Sequence, residues 1–218
     1  MNTLLHLADH ATRGDLRTFL ERLVRVGEAE VRLVSRAQTL AVYGCTQTTQ
    51  GLLDQTPVVL VMRGFSLREA PERPVDFTVQ ARALLDRLAR MGIVSLDLEL
   101  PESEVSAVWA GVLPPAGGWE PLGTIDAGSL ARVAGEGIER VAQMMPDQPG
   151  EAVVRRVRAA VWGAEIAPAL PAAAAFGAEA LGFLGGEAVA QLSHSRTWIR
   201  VSTGRGHVLV RNSQSLLG

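Results

Sequence analysis

Two periodicities alternate along this chain of 218 residues, and no other feature restricts its fold as strongly. Apolar residues at i, i+3, i+4 and i+7 mark helices with one buried stripe, whereas strict apolar–polar alternation marks half-buried strands. Asp15 precedes Leu16, Phe19, Leu20, Leu23 and Val24, a helical stripe that closes at Gly27. The period then drops to two. Val31 and Leu33, followed by Leu40 and Val42, flank Arg36-Ala37-Gln38 as a hairpin, and a third strand is expected from Val58 to Met62. Between them, Gly44 to Thr56 carries three glutamines and four threonines and reads as a long loop.

With Thr78 as an expected N-cap, Ala81, Leu84, Leu85, Leu88 and Ala89 form a second helical stripe that stops at Met91-Gly92. Ile93 to Leu98 reads as a strand, Pro101 to Glu104 as a turn, and Val105 to Leu113, with Trp109, as a partner strand. Pro114-Pro115-Ala116-Gly117-Gly118 is the sharpest break in the chain. Beyond it, Asp126 is placed to cap a helix that runs to Met144, and further helices are expected over Glu151 to Trp162 and Ala172 to Leu184. Strands over Ala188 to Leu192, Thr197 to Ser202 and His207 to Val210 close the sequence. Helices interleaved with hairpin-linked strands give an α+β class with mainly antiparallel sheets and covering helices. The break divides an N-terminal α+β half, 1–115, from a C-terminal half, 119–218, with 114–118 as linker, although the two can also pack as one domain. Helix, glycine, strand, turn and Trp-bearing strand occur around Gly92 and Trp109 and again around Gly185 and Trp198. Such an echo suits two halves related by a pseudo-twofold; it also arises as common supersecondary structure.

Composition removes several chemistries. All 21 basic side chains are arginine. A lysine Schiff base, a GxxxxGK[ST] phosphate loop and a kinase-type lysine are therefore excluded. The single cysteine, Cys45, excludes an internal disulfide and a multi-cysteine zinc site, and suits a reducing compartment. The first residues lack the basic region and long apolar core of a signal peptide, and no apolar run reaches the roughly 20 residues of a spanning helix, so a cytoplasmic location is expected. His6 and His10 have i, i+4 spacing beside Asp9, but without the glutamate of an HExxH site, and no metal or other cofactor is expected. Neither a GxSxG elbow nor a complete GxGxxG loop occurs; Gly204-Arg205-Gly206 suits a hairpin turn. Glu99, Glu102 and Glu104 gather around Pro101 as a solvated turn, leaving no catalytic residue to name.

Charge is uneven. Residues 1–149 hold 14 Arg against 19 acids, a balance of −5, and residues 150–218 hold 7 Arg against 4 Glu, a balance of +3, which sum to the net −2. After Glu187 no acid follows, while His194, Arg196, Arg200, Arg205, His207 and Arg211 do. On an alternating strand Arg196, Trp198 and Arg200 share a face. Such a face suits an anion, through Arg196, Arg200, Arg205 and His207, with Trp198 as a stacking surface. It equally suits a solvated polar strand face. A net negative chain disfavours a dedicated nucleic-acid binder.

The segments Leu40-Ala-Val-Tyr-Gly-Cys-Thr-Gln47, Val108-Trp-Ala-Gly-Val112 with Gly118-Trp-Glu-Pro121, Ala175 to Gly185, and Arg205-Gly-His-Val-Leu-Val-Arg211 resemble a group of conserved actinobacterial proteins of unknown function. The Thr203-Gly-Arg-Gly-His207 ending and the helix-glycine-strand-strand pattern also resemble the substrate chaperones of type VII secretion, which implies a cytosolic α+β protein that binds other proteins. The leading expectation is a non-enzymatic, chaperone-like or adaptor-like protein that binds a protein partner or forms a homodimer. The alternative is a protein or enzyme that binds an anion or phosphorylated small molecule with its C-terminal arginines.

Overall fold

The computed structural model describes residues 3–27, 29–49 and 56–211. In chain order the elements are β1 (Leu4–His6), α1 (His10–Val26), β2 (Glu30–Arg36), β3 (Thr39–Gln47), β4 (Val58–Ser66), β5 (Asp76–Gln80), α2 (Ala81–Arg90) and β6 (Asp97–Glu99). A short 3-10 turn, Val108–Gly111, precedes β7 (Glu120–Asp126), α3 (Ala127–Met144), α4 (Glu151–Trp162), β8 (Glu165–Ala167), β9 (Leu170–Pro171) and α5 (Ala172–Ala180). The chain ends in β10 (Val189–Ser195), β11 (Trp198–Thr203) and β12 (Gly206–Arg211). Helices and antiparallel strand pairs are mixed as the α+β reading requires. Two compact units form: residues 1–45 with 62–113, and residues 46–61 with 114–218.

In the first unit, β2 pairs with β3 on one side and β5 on the other, both antiparallel. Helix α1 turns Leu16, Phe19, Leu20 and Leu23 inward, with Phe19 edge-on to Phe65 at 6.0 Å between ring centres. It starts earlier than Asp15. Asp9 is the cap, its Oδ1 accepting from the Thr12 amide at 2.7 Å, and Gly27 closes the helix at φ 102. His6 therefore lies in β1 and His10 opens α1, so the two do not share a helical face. Thr78 is no cap either: it lies in β5 opposite Arg32, and α2 begins after Gln80.

Two expected strands dissolve here. Ile93 to Leu96 is a turn, because Arg13 draws its carbonyls together. Arg13 Nη1 donates to Gly92 O at 2.7 Å, Ile93 O at 3.4 Å and Ser95 O at 3.0 Å, and Nη2 donates to Leu88 O at 3.3 Å and Met91 O at 3.2 Å. Only Asp97–Glu99 remains extended, paired with β1. Trp109 lies in the 3-10 turn and not on a strand, and Arg32 binds that turn through Ala110 O. The echo around Gly92 and Trp109 is thus absent at those residues. A different correspondence in chain order exists: β1, α1 and the run β2, β3, β4 against β7, α3 and the run β10, β11, β12. Both long helices begin at an aspartate cap, Asp9 and Asp126.

In the second unit β7, β10, β11 and β12 are successive antiparallel neighbours, with β4 beside β12. The expected loop at Gly44 to Thr56 begins only after Gln47, where β3 ends, and Gln50 to Gln55 lie outside the described residues. Helices α3 and α4 match their expected spans closely, while α5 is shorter than Ala172 to Leu184 and ends at Ala180. The Trp162 ring of α4 lies over Gly137 of α3, so close that a Cβ there would overlap it, and sits 4.6 Å from the Phe176 ring of α5. A Cβ on Gly206 would meet the buried Phe183 ring at 2.5 Å.

Gly206→Ala is expected to lower unfolding free energy by about 1–3 kcal/mol, read as a lower urea midpoint. The Asp126 carboxyl is held below its ordinary 3.8, first by the Ser129 backbone amide. A depressed carboxyl contributes stability that is present above its unfolded value and lost as pH falls through the folded one. Asp126→Asn keeps an acceptor but removes the charge, so the fall in Tm below about pH 4 should be shallower than in the wild type.

Candidate functional site

Strand alternation sets which of the C-terminal residues share a face. On β11, Trp198, Arg200 and Ser202 point to one side; opposite them stand Ser195 and Ser193 on β10, and Arg211, Leu209 and His207 on β12. Arg196 does not join them. It occupies the β10–β11 turn in the left-handed region, at φ 54, and is exposed. Arg205 sits in the turn at the other end of β11, whose 6 residues separate the two by about 20 Å. The five candidates therefore divide into a central group, Trp198, Arg200 and His207, and two arginines at opposite ends. His194 belongs to the other face, where its Nε2 meets Glu120 Oε2 at 3.3 Å, so β7 supplies a carboxylate that the C-terminal stretch lacks.

The central group is built into the fold. Trp198 is 3% exposed and cannot offer its ring to a ligand in this packing. Stacking is supplied by Trp119, which no spacing in the sequence pointed to. Its ring lies 4.3 Å beneath the Arg200 guanidinium carbon. Trp119 is fixed by its own Nε1–H, which donates to Pro115 O at 3.0 Å, and Ser195 Oγ donates to Gly117 O at 3.5 Å. The Pro114 to Trp119 segment is thereby folded onto the β10–β11 face. Arg200 Nε donates to Ser193 Oγ at 3.2 Å, and no carboxylate pairs with Arg200 among the described residues. Burial draws the Arg200 pKa below its ordinary value.

His207 is mostly buried, with Nδ1 2.8 Å from Ser202 Oγ. Burial, and then the charge of Arg200, push its pKa below the ordinary 6.5, which keeps the imidazole neutral. Arg200, Ser202 and neutral His207 thus form one cluster of hydrogen-bonding groups with a single fixed positive charge. A guanidinium stacked on a ring has the donor geometry that suits a carboxylate or phosphate group. Elsewhere, no group of three or more His, Cys, Asp or Glu suited to a metal occurs among the described residues, and Cys45 is buried.

This fold is shared with bacterial sliding clamps. Caulobacter crescentus pol III beta matches with a TM-score of 0.50 at 12% identity, over 100% of this chain and 66% of that one. The Bartonella birtlesii DnaN sliding clamp, DNA polymerase III subunit beta bound to griselimycin, matches with a TM-score of 0.52 at 16% identity, over 100% of this chain and 65% of that one. The chain spans just under two thirds of their length, and at such identities the likeness is one of fold. These neighbours are sliding clamps, not secretion chaperones. In sequence, residues 1–111 match a domain of unknown function, DUF8010, and residues 114–215 match another, DUF8185. The first match covers just over half of the chain, which belongs to the DUF8010 family. No curated protein matches it.

Because the folded His207 pKa lies below the unfolded value, the unfolded chain binds the extra proton, and stability falls as pH drops through 6.5 toward the folded value. In NMR titration the His207 ring should protonate below pH 6.5, and Arg200→Met should move that midpoint upward.

Proposed function

We propose that the protein is a non-enzymatic scaffold that acts through protein contacts, self-association included. Large apolar side chains left in water carry this reading: Ile93 is 93% exposed, Val94 84% and Val108 88%. Of these, Ile93 and Val94 are adjacent and together offer an aliphatic surface that another protein can cover. The sliding-clamp-like fold over the whole chain supports the same class of role, since the neighbours are named as DNA polymerase clamps and not as catalytic subunits. Sedimentation at about 100 μM, where any association with a tighter Kd is visible, should show species larger than the monomer or a defined complex with a captured partner. A chain that stays monomeric and captures no saturable partner overturns the reading.

A second reading rests on Arg200, whose guanidinium is stacked on Trp119, flanked by His207 and unpaired with any carboxylate among the described residues. There the protein binds a phosphate- or carboxylate-bearing small molecule. Thermal shift with phosphorylated metabolites should show stabilisation that Arg200→Ala abolishes and that Arg196→Ala and Arg205→Ala leave intact. Stabilisation indifferent to Arg200 rejects this site.

A further inference from the structure

Ile93 and Val94 stand on a turn that is held, not loose, because the Arg13 guanidinium donates to five carbonyls spanning Leu88 to Ser95. An aliphatic pair already fixed in place loses little conformational freedom on docking. Beside it lies a hollow of about 330 Å³ lined by His10, Arg13, Gly14, Arg17, Leu88 and Ile93, whose ionisable walls are all basic. The same unit carries a second hollow of about 340 Å³, lined by Thr3, Phe77, Leu100, Pro101, Glu102 and Glu104. Phe77, Leu100 and Pro101 form part of its lining, and its ionisable walls are only acidic. Arg17 holds Glu21 in an exposed pair, and neither Glu102 nor Glu104 forms an ion pair among the described residues.

We propose that the occupant of each surface is a second copy of this chain. The Ile93–Val94 knob of one copy enters the Phe77–Pro101 hollow of the next, and Arg17 meets Glu102 and Glu104. Opposite charge argues for this pairing, together with an aliphatic pair that can meet Phe77, Leu100 and Pro101. Two different surfaces meet, so the contact is head-to-tail, closing into a ring or continuing as a filament according to its rotation. The inference rests on the scaffold reading and assigns its surface.

Sedimentation velocity of the full chain tests it. The wild type should assemble with concentration, and more weakly at about 0.5 M than at about 0.05 M salt. Ile93→Asp should weaken assembly at least tenfold with an unchanged Tm, as an exposed residue allows. Arg17→Glu sets a carboxylate against Glu102 and Glu104 of the next copy, and Glu102→Arg/Glu104→Arg sets two guanidinium groups against Arg17, so each should remain monomeric alone and the equimolar mixture should assemble. Wild-type assembly that ignores Ile93→Asp, or a mixture that stays monomeric, overturns this surface while leaving the scaffold reading standing. A wild type that never assembles also overturns it, and partner capture then decides the broader reading.

Discussion

A large buried side chain seated directly over a glycine is the contact on which both units depend. Leu23 of α1 lies where a Gly44 Cβ would be, within 2.6 Å; Trp162 covers Gly137; and Phe183 covers Gly206. Each pair brings two elements closer than any side chain at the glycine would permit. The apolar stripes of α1, α3 and α4 are then buried, Leu16 and Leu20, Leu130 and Ala134, and Val157 and Val161 among them, in an interior where even one methylene is felt. With an aromatic content of only 5%, few large rings are available, and two of them, Trp162 and Phe183, are seated against glycines.

Arginine does the work in polar regions that lysine shares in other chains. Arg13 gathers five carbonyls after α2, and Arg32 joins Asp76 on the neighbouring strand to Ala110 O in the 3-10 turn. Both tasks use several donors fixed in one plane, which an ammonium group does not have. Arg200 is the departure from this pattern: it binds one hydroxyl and one ring, and its charge has no carboxylate partner among the described residues. A guanidinium spent on structure and one left uncompensated are indistinguishable in the sequence.

The long elements were legible because their signals are local. The α1 stripe, the β2–β3 alternation, the Asp126 cap and the full span of α4 each depend on residues within a few positions of one another. Ile93 to Leu98 also alternates, yet only its last two residues enter a strand, paired with β1, and Val105 to Leu113, expected as its partner, instead holds the 3-10 turn. Carbonyls that a ladder would have used are bound by Arg13, 75 to 82 positions away. Strand β7 escaped notice for the opposite reason: Glu120 to Asp126 is almost wholly exposed and holds Pro121 and Gly123, so its pattern shows no buried face. It becomes a strand because β10 lies beside it.

By itself, then, the sequence determined the α+β class, the helices with strong stripes, and the chemistries closed to a chain without lysine and with one cysteine. Tertiary structure decided which arginines are engaged and which candidates meet. It separated Arg196 from Arg205 by the length of β11, buried Trp198, and brought Trp119, the first residue after the expected linker, beneath Arg200. The physical reason is range: periodicity and capping act over a few residues, whereas charge compensation, stacking and strand pairing depend on neighbours that only folding brings together.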